Sequence, residues 1–336
     1  MKLKCDEGSL GKCAMDRKPS PGPVYVLRGT IGSVNALKFV PKPISNDEML
    51  VSGSSNGIIS LWNLKTKRVQ SSIDNHHGKA VIELGLTNKP NLISHGRDGK
   101  IFIWDISSSE PRLLSQMEGP VLGFCKFSIL DDDKVQWLAT AYQSEVVIND
   151  LKTSKVAHRL KPQDHMSFGM CMCMKMFCCS QTSHPMILCG YENGKVALWD
   201  ISMCRMMSHL ASHSESVMCL NVDEVNHKAV TGSADNKLSI TTFGLDGQLS
   251  STGEVQLKTE GVASVKVRCD SRILASGAWD GRVRVHSWKS LKPLAVLNYH
   301  CATVNTVEFS SESSAGRMLM AAGSKDSRIS LWDIYN

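Results

Sequence analysis

The densest run of potentially reactive side chains is Met170-Cys171-Met172-Cys173-Met174-Lys175-Met176-Phe177-Cys178-Cys179. Thiolates and imidazoles ligate zinc, and with His165 and His184 nearby this stretch holds enough donors for a tetrahedral site. The spacing, Cys-x-Cys followed by Cys-Cys, is not that of paired Cys-x-x-Cys knuckles. In an extended strand Cys171 and Cys173 would face one side, with Met170, Met172, Met174 and Met176 on the other. That arrangement suits a strand buried on both faces by soft side chains. Core packing is therefore the favoured reading, with no metal and no cofactor expected, and zinc or redox sensing stand as alternatives.

Other reactive groups are scattered Ser, His and Asp residues. The chain lacks a Gly-x-x-x-x-Gly-Lys phosphate loop, a His-Glu-x-x-His metal motif and a Gly-x-Ser-x-Gly nucleophile elbow. No enzymatic activity is expected.

The elements that carry these residues repeat. Four segments share one ending: Ile59-Ser60-Leu61-Trp62-Asn63-Leu64, Ile101-Phe102-Ile103-Trp104-Asp105-Ile106, Val196-Ala197-Leu198-Trp199-Asp200-Ile201 and Ile329-Ser330-Leu331-Trp332-Asp333-Ile334. The gaps between them hold degenerate copies, which gives the column Trp62, Trp104, Asn149, Trp199, Thr241, His286, Trp332. Its period is that of a propeller blade, about 40 to 45 residues. Six residues earlier stand Asn56, Asp98, Gln143, Asn193, Asp235, Asp280 and Asp326, polar residues suited to tight turns between strands. Before the turns come small-residue strands such as Val51-Ser52-Gly53-Ser54 and Ala321-Ala322-Gly323-Ser324. The pattern predicts an all-β, seven-bladed propeller over residues 23–336.

A ring of sequential blades must close without leaving an open edge. The last repeat ends after its third strand, and Val24-Tyr25-Val26-Leu27-Arg28-Gly29 resembles the outer-strand segment Leu294-Ala295-Val296-Leu297-Asn298-Tyr299. The N-terminal strand is thus expected to complete the final blade. Residues 1–22, aperiodic and containing Pro and Gly, read as a disordered tail.

With 42% hydrophobic and 21% charged residues the composition is globular, and no apolar run approaches the roughly 20 residues that span a bilayer. The absence of a signal sequence predicts that the twelve cysteines are reduced thiols of the cytoplasm or nucleus. The net charge of +6 comes from dispersed Lys and Arg, so nucleic acid is not an expected partner. A monomeric propeller without a membrane anchor is expected.

These repeats resemble the WD-repeat family. In that family a His, a Ser or Thr, the turn Asp and the Trp often form a buried hydrogen-bonded group. The resemblance assigns such a structural role to His77 (or His76), Ser94, Asp98 and Trp104. It also assigns one to His300, Asp326 and Trp332 alongside Ala322, and to His213, Thr231 and Asp235 alongside Thr241. Trp62, Trp199 and Asp280 belong to the same columns. The residue before each turn Asp projects onto the narrow face of the ring in this family. Those positions hold Ser55, Arg97, Tyr142, Glu192, Ala234, Trp279 and Lys325. Arg97, Tyr142, Glu192, Trp279 and Lys325 are the candidate partner-binding residues, because exposed Trp, Tyr and Arg make interaction hot spots. Packing of Trp279 on its neighbouring blade is the alternative.

More narrowly, the chain resembles the branch containing guanine nucleotide-binding protein β-subunit-like proteins and fungal ASTRA-associated WD-repeat subunits. Phe124-Cys125, Gly190-Tyr191-Glu192-Asn193-Gly194 and the stretch from Ile273 to Tyr335 carry this likeness, including Trp288 placed two beyond the usual Trp column. The resemblance implies a co-chaperone-associated scaffold that works with the triple-T complex in maturing phosphatidylinositol-3-kinase-related kinases, with a role in the DNA damage response. A cullin ubiquitin ligase receptor is one alternative. Such receptors carry Trp-Asp-x-Arg, whereas the fourth residues here are Lys65, Ser107, Ser202 and Tyr335. A chromatin adaptor is the other.

Overall fold

Each repeat folds as a four-stranded antiparallel sheet because its β-branched runs favour extended backbone and its Asx-rich turns reverse the chain. The computed structural model describes residues 21–41, 48–121, 123–163, 166–178, 184–244, 246–311 and 317–335. Residues 1–20 of the expected tail, together with His165 and Cys179, lie outside the described residues. Seven sheets of four strands each stand around a common axis. In sequence order the first six span residues 34–74, 81–118, 128–160, 171–211, 217–256 and 262–298. In the first blade Val34–Val40 lies innermost, followed outward by Met49–Ser54, Ile58–Asn63 and Arg68–Asp74. No helix among the described residues is long and apolar enough to cross a membrane.

The seventh sheet is built from both ends of the described chain. Val304–Phe309, Leu319–Ser324 and Ile329–Asp333 supply three strands, and Tyr25–Leu27 pairs antiparallel with the third of these, Val26 opposite Ser330. The Val24 amide extends the ladder to the Leu331 carbonyl at 2.8 Å.

Neighbouring blades meet through a recurring close approach. A Cβ on Gly323 would come within 2.5 Å of Val34 Cγ1, across the seam between the seventh and first blades. Gly53 meets Val81 in the same way, as do Gly190 and Val217, Gly232 and Val262, and Gly277 and Val304. The small residues of the second strands are thus required by the valine that opens the next inner strand. All five of these valines are fully buried, and each such side chain contributes about 1.5–3 kcal/mol.

Trp288 adds a separate lock between the fifth and sixth blades. Its indole N–H donates to Asp223 Oδ2 at 2.6 Å, and the Lys228 ammonium lies 4.2 Å from the ring centroid.

The buried polar groups expected from the repeats form with two changes. In the second blade Trp104 Nε1 donates to Ser94 Oγ at 3.1 Å. Ser94 lies 2.9 Å from His76 Nε2, and His76 Nδ1 lies 3.0 Å from Asp98. The histidine is therefore His76 and not His77, which is exposed and adopts a positive φ of 46° in the turn. In the seventh blade Ala322 cannot supply the hydroxyl, and Ser330 does so from the adjacent strand. Trp332 Nε1 donates to Ser330 Oγ at 2.8 Å, Ser330 lies 2.8 Å from His300 Nε2, and His300 Nδ1 lies 3.0 Å from Asp326. Ala322 and Ser330 are direct cross-strand partners, so the hydroxyl has moved across the ladder without leaving the site.

His213 joins Asp235 at 2.8 Å and Thr231 at 2.9 Å in the fifth blade, where Thr241 replaces Trp. Burial pushes His76, His213 and His300 below the usual imidazole pKa, with the aspartates pulling the other way. In the two complete chains the Trp N–H donates to the Ser hydroxyl, which contacts His Nε2, while His Nδ1 lies on the Asp carboxylate. In the sixth blade Asp280 instead accepts from Arg284, at 2.6 Å, and from Thr259 Oγ1, at 3.0 Å. In the first blade Trp62 Nε1 donates to Ser52 at 2.8 Å.

Ser330→Ala is expected to destabilise the chain by about 1–3 kcal/mol, since His300 and Trp332 both lose their partner in a dry site. Adding Ala322→Ser should recover most of that loss. Urea unfolding of the two variants checks both statements, and an unaffected single variant would contradict the first.

The cysteine-rich strand Cys171–Cys178 departs from simple alternation. A β-bulge between Cys171 and Cys173 turns the two thiols to opposite sides. Cys171 joins Met174, Met176, Cys125, Cys189 and the buried Trp199 in one core cluster, while Cys173 Sγ donates to the Val217 carbonyl of the fifth blade at 3.3 Å. The expectation that Cys171 and Cys173 share a face opposite the methionines is corrected by this extra residue. Burial drives the Cys125 and Cys189 thiols well above their ordinary pKa, as expected of protonated packing groups. His184 is exposed, apart from both thiols. Among the described residues no three His, Cys, Asp or Glu side chains are grouped to hold a metal, and the nine cysteines described are free.

Candidate protein-docking face

In an antiparallel blade the turns between second and third strands all emerge on one face of the ring, together with the connections that enter each inner strand. Hydrogen bonds tie these two sets of loops. The amide of the residue preceding the turn donates to the connection in six blades: Ser55 to Ser33 at 2.8 Å, Arg97 to Ala80 at 2.8 Å, Glu192 to Met170 at 2.9 Å, Ala234 to Ser216 at 3.2 Å, Trp279 to Gly261 at 2.9 Å and Lys325 to Thr303 at 2.9 Å. In the third blade the link runs instead from the Cys171 amide to the Gln143 carbonyl at 2.8 Å. Backbone position is fixed while the side chain points outward, which lowers the ordering cost of binding.

Arg97, Tyr142, Glu192, Trp279 and Lys325 are all exposed, whereas Ser55 and Ala234 are half-buried. The structure brings Arg97 and Tyr142 into one patch through the loop that joins the second and third blades. The Arg97 guanidinium lies 4.7 Å from the centroid of Phe124, which is 57% exposed, and Val121 in the same loop is 62% exposed. Gly123 of this loop approaches the Ala141 carbonyl, next to Tyr142, itself 41% exposed. An Arg over an exposed aromatic ring gains about 0.5–1 kcal/mol and leaves the ring's other side free.

Trp279 and Lys325 occupy the sixth and seventh blades, a second area of the same face, where Thr303 Oγ1 donates to the Trp279 carbonyl at 3.4 Å. The indole rests directly on the Gly261 backbone: a Cβ there would fall 2.1 Å from Trp279 Cδ2, so only glycine, here at φ +84°, admits it. The ring nevertheless remains 47% exposed. Packing on its neighbour and presentation to solvent are both true of Trp279, and the contact holds it in place. Glu192 differs from the other four in that its carboxylate accepts the Met170 amide at 3.0 Å and so ties down its own loop.

Phe124 and Val121 fall outside the repeat columns because they sit in an irregular connection. The available signal was a Phe and a Val placed among Gly119, Pro120 and Gly123, where no strand could bury them. Contiguous exposed apolar and aromatic area of this kind marks an interaction surface.

Known proteins share these repeats. The family described as "WD domain, G-beta repeat" matches residues 21–63, 250–287 and 291–333. WD-repeat propellers are in general non-catalytic scaffolds. The chain is similar to "Guanine nucleotide-binding protein subunit beta-like protein 1" of Mus musculus, with 36% identity over 94% of this chain and 97% of that protein. It is similar to "ASTRA-associated protein 1" of Verticillium alfalfae at 28% identity, covering 94% and 93%, and of Schizosaccharomyces pombe at 26%, covering 94% and 99%. Seven tethered blades, the Trp columns and a full-length likeness at this identity lead to one conclusion: the chain belongs to the WD-repeat family of guanine nucleotide-binding protein subunit beta-like protein 1.

Proposed function

We propose that this chain is a non-catalytic scaffold that docks the triple-T co-chaperone complex and supports maturation of phosphatidylinositol-3-kinase-related kinases in the cytoplasm and nucleus. The observation that carries the docking role is the pair of exposed side chains Arg97 and Trp279, whose own amides are hydrogen-bonded in place, joined on the same face by exposed Phe124 and Tyr142. Rigid presentation of aromatic and Arg groups suits a protein partner. The kinase-maturation role is supported by the relatives named ASTRA-associated protein 1 and by the sequence likeness to that branch.

The test is binding of the full chain to a reconstituted triple-T assembly, followed by mass spectrometry of proteins retained from cells. Direct binding of the purified components is the expected result. Absence of that binding, with cullin adaptors or histones retained instead, would replace this reading with a ligase-receptor or chromatin role.

A further inference from the structure

The seven inner strands enclose an axial channel of about 650 Å³, within the size range of small-ligand sites. Its wall carries one charged level. Lys38, Lys175, Lys266 and Glu308 belong to the first, fourth, sixth and seventh blades, and each pairs with the residue four before the turn-preceding position: Val51, Leu188, Ala275 and Ala321. All four line the channel. Both oxygens of Glu308 are occupied, Oε2 by Lys38 at 2.9 Å and Oε1 by Lys266 at 2.8 Å. Lys126 and Glu83, also in the channel wall, neutralise each other at 3.2 Å.

Lys175 makes no salt bridge among the described residues. The charged groups acting on it are Lys266 and Lys38, which repel its proton, and Glu224 and Glu308, which favour it; burial outweighs all of these and the net result is a pKa lowered to about 8. The wall thus holds four lysines against three carboxylates, Glu83, Asp131 and Glu308, one positive charge in excess, with Glu224 acting on Lys175 from beyond the lining. Such a cleft focuses positive potential and concentrates small anions. Lysines serve as point-charge phosphate binders. The opening is bounded by seven sheets, so a bilayer cannot reach this level and a compact solute can.

We propose that the channel level of Lys38, Lys175 and Lys266 is a binding site for a compact multivalent phosphate-type anion. The anion would take the place of the missing counter-charge, bridging Lys175 to the two lysines that already flank Glu308. Its binding would hold Lys175 protonated at a pH where the free chain has lost part of that charge.

The probe is sodium tripolyphosphate, titrated calorimetrically into the full chain at pH 8 in two buffers of different ionisation enthalpy, against sodium chloride of equal ionic strength. Saturable 1:1 binding with net proton uptake is expected. Lys175→Gln should weaken binding by about tenfold or more, as for loss of one charged contact, while Lys289→Gln at an exposed outer position leaves it unchanged. Lys175→Arg should retain binding and lose the proton uptake, because guanidinium stays charged. A merely structural Lys175 would not produce that split. No saturable heat, equal displacement by chloride, unaltered affinity in Lys175→Gln, or binding of a polyglutamate peptide in place of tripolyphosphate would each overturn the proposal.

Discussion

Glu308→Gln is expected to lower the unfolding free energy by about 3 kcal/mol at pH 7, at the lower end of the range for breaking a buried ion pair. The substitution is nearly isosteric, so the effect is electrostatic. Lys38, Lys266 and Lys175 would face one another with no carboxylate at their level, the Lys38 and Lys266 side chains being 26% and 27% exposed. For a chain of this size the loss corresponds to a fall in Tm of about 5 °C.

The pH dependence gives the prediction its sign. Burial alone would raise the Glu308 pKa, but Lys266 and Lys38 overcome it and pull the group from 4.5 to about 2. A carboxylate depressed in the fold stabilises above its unfolded pKa, and that contribution fades as pH falls through the folded value. The deficit of Glu308→Gln should therefore be full at pH 7 and smaller by about 1 kcal/mol at pH 3.5. Urea titrations at the two pH values check this. A deficit that is absent, or equal at both, would show that the channel charges are solvated and independent.

The fold was legible where its physics repeats at fixed spacing. Trp62, Trp104, Trp199 and Trp332 and the turn residues six before them mark four of the seven blades, since a tight turn and a dry indole each restrict residue type strongly. What escaped the columns are features that add one residue or change strand. A bulge precedes the Trp column in six blades, for instance between Leu61 and Trp62, and another breaks the inner strand between Cys171 and Cys173. Neither shifts the blade spacing, so neither shows in it. Choosing His76 over His77 required the turn geometry, because both neighbours are the same residue type in an irregular connection. Ser330 substitutes for Ala322 only because the two face each other across a ladder, a relation that a linear column does not display.

The candidate face was legible in part for the same reason. Arg97, Tyr142, Trp279 and Lys325 occupy a repeat position and could be read from it, whereas Phe124 reaches the patch through a loop. The channel lysines also occupy a repeat position, on inner strands whose registers emerge only from the sheet pairing.

Arg97→Glu combined with Trp279→Ala is expected to weaken docking of the protein partner by at least about 30-fold, from two anchors of more than 1 kcal/mol each. The first change reverses a charge and removes the cation from Phe124; the second strips the largest exposed ring from the opposite area of the face. Both backbone amides keep their bonds to Ala80 and Gly261, so the blades stay intact. Stability should change by no more than about 1 kcal/mol, most of it from the Trp279 contact with Gly261. Surface-immobilised binding to the reconstituted co-chaperone assembly, beside thermal unfolding, separates the two quantities. Unchanged affinity in the double variant would place docking elsewhere.

Hydroxyl-radical footprinting of the chain with and without its protein partner asks most directly which face of the ring is used. Protection should fall on Val121, Phe124, Tyr142 and Trp279 in the second-to-third-strand turns and their adjoining loops. Protection confined to Met203, Val225 and Tyr335, exposed at the opposite ends of the strands, would contradict the account.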